Sequence, residues 1–217
     1  MTSMIDHELF QRSELLIQNL LQTINQPPFD RSSRVCASGN LCQISIEHSC
    51  GVRALSETRM FPSAFVVLRA QFESLLRGVW VLYCANDDEV LKLSAHLDPD
   101  SEQGAKNLAS PHDMLKALGL VPNAKVPFDA LTEFKDSSWK ALNSFAHAGI
   151  HPLHRLVDGY PIEMVLANVR MSNALALMAG MQYCVLTGIP GLQKELTPLH
   201  ERFADCLPDH RAPIRTN

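Results

Sequence analysis

An all-α helical bundle is the fold this sequence predicts, and three observations predict it. Apolar residues recur at three- and four-residue spacings through long segments, no alternating strand pattern lasts beyond a few positions, and prolines, glycines and small polar residues fall where such segments begin and end. With 217 residues, 46% of them hydrophobic, the chain can bury one sizeable core and needs no second domain. One domain over 1–217 is expected, its core spanning about 4–207 and a frayed tail following over 208–217. Antiparallel packing of the long helices is the default topology.

The elements follow in order. Ile5 to Ile24 carries Leu9, Phe10, Leu15, Leu16, Leu20, Leu21 and Ile24 at helical spacing, and Pro27-Pro28 stops the pattern. Asp30 or Ser32 is placed to cap a second helix over Arg34 to Arg59, in which Gly39 and Gly51 mark close helix contacts. Pro62 suits the first turn of the long apolar run "SAFVVLRAQFESLLRGVWVLYCAN". Asp87 is expected to cap a short helix in "DDEVLKLSAHL", and "DPDSEQGAKNLASPH" reads as a polar loop before another short helix near Pro111. A helix from about Phe128 to Ala148 meets its stop at Gly149, and the segment around Pro152 reads as an ordered bend. Two helices, Ile162 to Thr187 and Leu192 to Cys206, separated by "GIPG", complete the set.

Composition narrows the function. A net charge of -4 offers no overall basic field for nucleic acid, so any RNA contact needs a local basic patch. The apolar runs are short or interrupted by Arg170 and Asn173, which argues against a membrane span, and the opening "MTSMIDHELFQRSELLIQNLL" has no signal-peptide pattern. The six cysteines lack C-x-x-C spacing and read as reduced thiols of a cytoplasmic protein. No G-x-S-x-G, Walker A or dinucleotide fingerprint is present, and no cofactor is expected.

Two stretches can carry chemistry. In the long third helix Arg69, Glu73 and Arg77 follow at i, i+4 and i+8, with Trp80 a turn further along. Charges in so apolar a helix demand partners, and Glu73 between two arginines leaves a cation in surplus. The stripe is either an ion-pair ladder or a seat for a phosphate or carboxylate. The second stretch is "NSFAHAGIHPLHR", where Asn143 and His147 share a helix face, and His151, His154 and Arg155 lie beyond Gly149. His147 is a candidate acid or base, the H-x3-H-x2-H spacing is compatible with zinc, and the same histidines could simply cap a helix end.

The pair "RAQFESLLRGVW" and "WKALNSFAHAG" resembles HEPN (higher eukaryotes and prokaryotes nucleotide-binding) domains. The resemblance implies a helical bundle, often dimeric, and in catalytic members a metal-independent endoribonuclease of toxin or phage-defence type. The HEPN pattern runs arginine, a polar residue, three variable residues, histidine; "LNSFAH" supplies Asn143 and His147 but places Leu142 at the arginine. Arg69 or Arg77 would then replace it from the facing helix. On this reading His147, Arg69, Arg77 and Asn143 are the catalytic candidates, and Glu73, Trp80, His151 and Arg155 the ligand contacts. RNA or a nucleotide is the expected ligand, and a homodimer the expected assembly. The alternative is a non-catalytic module that binds a nucleotide, small anion or partner protein in the same groove.

Overall fold

The structure is a computed structural model that describes residues 7–99, 101, 103 and 108–209. Nine α-helices lie among these residues: α1 (His7–Thr23), α2 (Ser33–Glu57), α3 (Phe61–Tyr83), α4 (Asp87–Ser94), α5 (Pro111–Leu118), α6 (Lys125–Ala146), α7 (Ile150–Asp158), α8 (Ile162–Thr187) and α9 (Thr197–Arg202). No strand occurs among the described residues, so the all-α class stands. Residues 1–6, part of the expected loop (100, 102 and 104–107) and 210–217 of the expected tail lie outside the described set.

Helix boundaries follow local chemistry. Ser32 caps α2 by accepting the Val35 N–H, and Asp30 Oδ1 accepts the N–H and hydroxyl of Ser32 at 2.8 and 2.7 Å. Both sequence candidates therefore serve the one cap. At α4 the cap is Asn86, not Asp87, because Glu89 three residues on reciprocates with the Asn86 N–H at 2.9 Å, forming a capping box. Asp87 instead accepts from Arg34 at 2.8 Å. Helix α6 starts at Lys125, ahead of the expected Phe128, since Pro127 falls in its first turn where a missing N–H costs nothing. The expected final helix, Leu192 to Cys206, is instead a 3-10 turn over Leu192–Glu195, the short α9 with Pro198 in its first turn, and a second 3-10 turn over Ala204–Cys206.

Helices α2, α3 and α8 form the centre. Ser38 Oγ donates to Gly78 O at 2.8 Å and Ser45 Oγ to Gln71 O at 3.1 Å, so α2 and α3 run antiparallel. Phe72 stacks on Phe134 and Phe65 on Phe145, with ring centroids 4.9 and 4.5 Å apart, which sets α6 antiparallel to α3. Not every long neighbour obeys the default. Asn173 Nδ2 donates to Ser13 Oγ at 2.8 Å while Gly180 receives Leu20, so α1 lies parallel to α8. The Leu20 contact leaves no room for a Cβ at Gly180, which sequence alone gave no reason to single out.

Leu16, Leu20, Leu68, Phe72, Leu75, Leu76 and Leu175 are all at most 1% exposed. Each contributes on the order of 1.5–3 kcal/mol through burial. A polar bridge crosses this apolar centre: Gln71, fully buried, donates to Ser172 O at 2.9 Å and accepts from Ser172 Oγ at 2.6 Å. Among the described residues α8 alone is long and apolar enough to cross a membrane, and 61% of that stretch is buried inside the fold. All six cysteines are unpaired, and burial pushes the Cys42 thiol up to about 12 and those of Cys184 and Cys206 to about 11.

Candidate functional site

Arg69 is the hub. It leaves α3 toward α6 with its side chain only 17% exposed, and three groups surround its guanidinium. Nη2 donates to Glu73 Oε1 at 2.9 Å, one turn along the same helix. Nη1 lies 3.0 Å from His147 Nε2, and the Trp139 ring lies under the cation, 4.9 Å from its centroid. A guanidinium nitrogen can only donate, so Nε2 is the acceptor and His147 carries its proton on Nδ1. With Glu73 36% exposed, the ion pair is worth at most about 1 kcal/mol, and the ring contact adds about 0.5–1 kcal/mol.

The end of α6 presents His147. Its N–H closes the last helical turn onto Asn143 O at 3.0 Å, and Ala148 then takes the left-handed conformation at φ 51. Gly149 N–H returns to Ser144 O at 2.7 Å, which makes this a Schellman turn. The expected glycine stop is thus displaced by one residue. Ala148 adopts the positive φ at a cost of roughly 1–2 kcal/mol, while Gly149 is required for space, since a Cβ there would sit 2.6 Å from Ser144 Oγ. Ser144 Oγ also accepts the His151 N–H at 3.0 Å, joining the end of α6 to the start of α7. Pro152, read from sequence as part of a bend, lies in the first turn of α7, where it is tolerated.

The expected site residues separate into three groups. Arg69, Glu73 and His147 meet. Asn143 lies between Trp139 and His147 on one face of α6, four residues from each, yet its buried Oδ1 has no hydrogen-bond partner among the described residues, and neither has the buried Arg69 Nε. Arg77, half-buried, makes no hydrogen bond or ion pair with the described residues, because eight residues rotate the helix by about 80° away from the Arg69 direction. Trp80 is 3% exposed and belongs to the core, which removes it from the expected ligand contacts.

His151 and Arg155 form the third group, on α7 near Tyr160. His151 lies beside Phe145, ring centroids 6.3 Å apart, with a buried Nδ1 that has no partner among the described residues. Arg155 acts on Tyr160, whose phenol is held above its ordinary range by burial, with the Arg155 charge pulling the other way. His154 is exposed. The H-x3-H-x2-H residues do not converge: among the described residues no three His, Cys, Asp or Glu side chains are grouped to hold a metal. Leu142 is 2% exposed and belongs to the core, so the expected arginine position is occupied by a packed apolar side chain.

Trp139 is the residue that sequence reasoning missed. Its signal was present, since Trp139, Asn143 and His147 repeat every four residues on one helix face. A separate cavity of about 320 Å³ lies elsewhere, lined by Pro28, Cys36, Gly39, Asn40, Gln43 and Tyr183 among others.

The profile of a family of unknown function, DUF6988, matches residues 42–209. The chain belongs to DUF6988. The match runs from the middle of α2 to the last described residue, and so takes in every site residue from Arg69 to Arg155. No curated protein and no solved structure is significantly similar to this DUF6988 chain.

Proposed function

We propose that this DUF6988 chain is a HEPN-like, metal-independent endoribonuclease of toxin or phage-defence type, with Arg69 and His147 at its centre. The observation that carries the reading is the 3.0 Å contact between Arg69 Nη1 and His147 Nε2, a phosphate-binding cation against a candidate base. A scissile phosphate drawing Arg69 to itself releases the Nε2 lone pair. His147 then takes the proton of the ribose 2′-hydroxyl, whose oxygen attacks the adjacent phosphorus. The bond from phosphorus to O5′ breaks, O5′ leaves with a proton drawn from solvent water, and a 2′,3′-cyclic phosphate remains. Arg69 stabilises the charge on the phosphorane, and Trp139 beneath it limits where the cation can swing.

The HEPN resemblance adds a homodimer, and the free thiols support a cytoplasmic location. Helix α7 is consistent with such a partner, since Ile150, Leu153, Leu156 and Val157 are 65–82% exposed.

End-labelled RNA incubated with the purified chain in EDTA tests the reading. Cleavage leaving cyclic phosphate ends is expected, and His147→Ala and Arg69→Ala should each lose at least about a hundredfold in rate. Intact RNA at high protein concentration would reject it. One observation favours the second reading, a non-catalytic module for a nucleotide, small anion or partner protein: Glu73 already neutralises Arg69. Calorimetric nucleotide binding that Arg69→Ala abolishes, without any turnover, would establish that alternative.

A further inference from the structure

We infer that the cavity of about 320 Å³ between the α1–α2 loop, α2 and α8 seats a small peptide-like thiol and holds it as a mixed disulfide on Cys36. None of its lining residues belongs to the Arg69 cluster, so the inference stands apart from the ribonuclease reading. Register builds one wall. Cys36, Gly39, Asn40 and Gln43 stand at i, i+3, i+4 and i+7, a single face of α2 turned to the cavity. Tyr183 of α8 forms the floor, 6% exposed, with its ring edge 3.5 Å from where a Cβ on Gly39 would lie. Its hydroxyl makes no hydrogen bond with the described residues and is not among their sealed polar atoms, so this buried side chain opens an unfilled group on the cavity.

The six thiols are not alike. Cys42, Cys184 and Cys206 are buried, with thiols pushed up to about 12, 11 and 11, and Cys50 and Cys84 pack against the apolar core. Cys36 is half-buried, lines the cavity and takes no part in that core. Thiol exchange needs access, a nearby cation and room for the departing group. Arg31 is the cation, since it lines the same cavity and makes no hydrogen bond or ion pair with the described residues.

The remaining lining describes the ligand. The carboxamides of Asn40 and Gln43 each offer a donor and an acceptor, the pair that a peptide bond requires. Arg31 suits a carboxylate, and Asp30, whose Oδ1 is taken by Ser32, keeps Oδ2 for an ammonium group. A short zwitterionic peptide that carries a thiol matches all of these groups. The reactant is the disulfide of such a thiol. The Cys36 thiolate attacks one of its sulfurs, the S–S bond breaks, and a new one joins Cys36 Sγ to the peptide. The other half leaves with the bonding electron pair and takes up the proton that Cys36 gave up, so Cys36 is oxidised and the departing thiol reduced.

Glutathione disulfide and 2-hydroxyethyl disulfide, which lacks amides and charges, test the assignment on the reduced full chain, with adducts located by peptide mass spectrometry. Glutathione should add to Cys36 at least about tenfold faster than to Cys50 or Cys84. The ratio of the glutathione rate to the hydroxyethyl rate at Cys36 should be at least about tenfold higher in the folded chain than in urea, a comparison that cancels the intrinsic difference between the reagents. Arg31→Gln, Asn40→Ala and Tyr183→Phe should each lower that ratio. Arg31 and Asn40 are exposed, so their variants keep the test open if Tyr183→Phe fails to fold. Reaction at Cys50 or Cys84 ahead of Cys36 overturns Cys36 as the site. A ratio that folding leaves unchanged, or that survives the substitutions, overturns the peptide seat.

Discussion

Two arginines grip α3 in different ways. Arg34 reaches across from α2 to the C-terminal end of α3, donating to Val81 O at 2.7 Å, Ala85 O at 2.6 Å and Asp87 Oδ1 at 2.8 Å. Arg69, in the middle of α3, holds one carboxylate and one imidazole, rests on an indole and keeps a buried Nε–H unfilled. The first arginine satisfies helix-end carbonyls that have no other intrahelical donor. The second is held by side chains alone, and its Nε–H is filled by none of the described residues. A cation whose partners are backbone carbonyls is tied to the scaffold; one held by side chains has partners that a rotamer change can release.

The largest expected effect probes where α6 points its side chains. Leu142→Arg restores the arginine of the HEPN pattern at what is a core position here, and should destabilise by at least about 3 kcal/mol in urea denaturation. A variant that unfolds at the parent midpoint would show that this face of α6 is open and that Arg69 need not substitute. Next come the two arginines themselves. Arg34→Met should cost roughly 2 kcal/mol through its lost charged hydrogen bonds, whereas Arg69→Met should cost under about 1 kcal/mol, because the partner Glu73 can rehydrate. The reverse order in the same denaturation series would make Arg69 the structural one and end the contrast. The smallest effect concerns the turn that carries His147. Ala148→Gly relieves the left-handed strain and should raise stability by about 1 kcal/mol, read as a higher melting temperature; no gain would mean that Ala148 is not strained.

Much of the scaffold was legible because its signals are local. Ile162–Thr187 was bounded correctly by periodicity and a following glycine, and Pro62 falls in the first turn of α3 as expected. What failed needed a neighbour. Asn86 outranks Asp87 only because Glu89 answers it, and Pro152 reads as a breaker until Ser144 is seen accepting the His151 N–H. At the site, four-residue spacing brought Arg69 to Glu73 and Asn143 to His147 in sequence, but could not tell Arg69 from Arg77 as the arginine that crosses to α6. That choice is set by which direction α3 turns toward α6. Trp80 shows the same limit: its position along the stripe suggested a shared face, and packing puts it in the core.

The Gln71–Ser172 bridge has a consequence for how the chain is made. Its partners stand 101 positions apart, while the α2–α3 hairpin that presents Gln71 is built from contacts between segments adjacent in sequence. During synthesis the hairpin can pair long before α8 exists. Until then the Gln71 amide has only water to bond with, on a face that will later be dry. The arrival of α8 exchanges that water for Ser172, so the last long helix both seals the apolar centre and closes a fully buried amide. Protection of the Gln71 side-chain amide protons should therefore appear late, once α8 has docked.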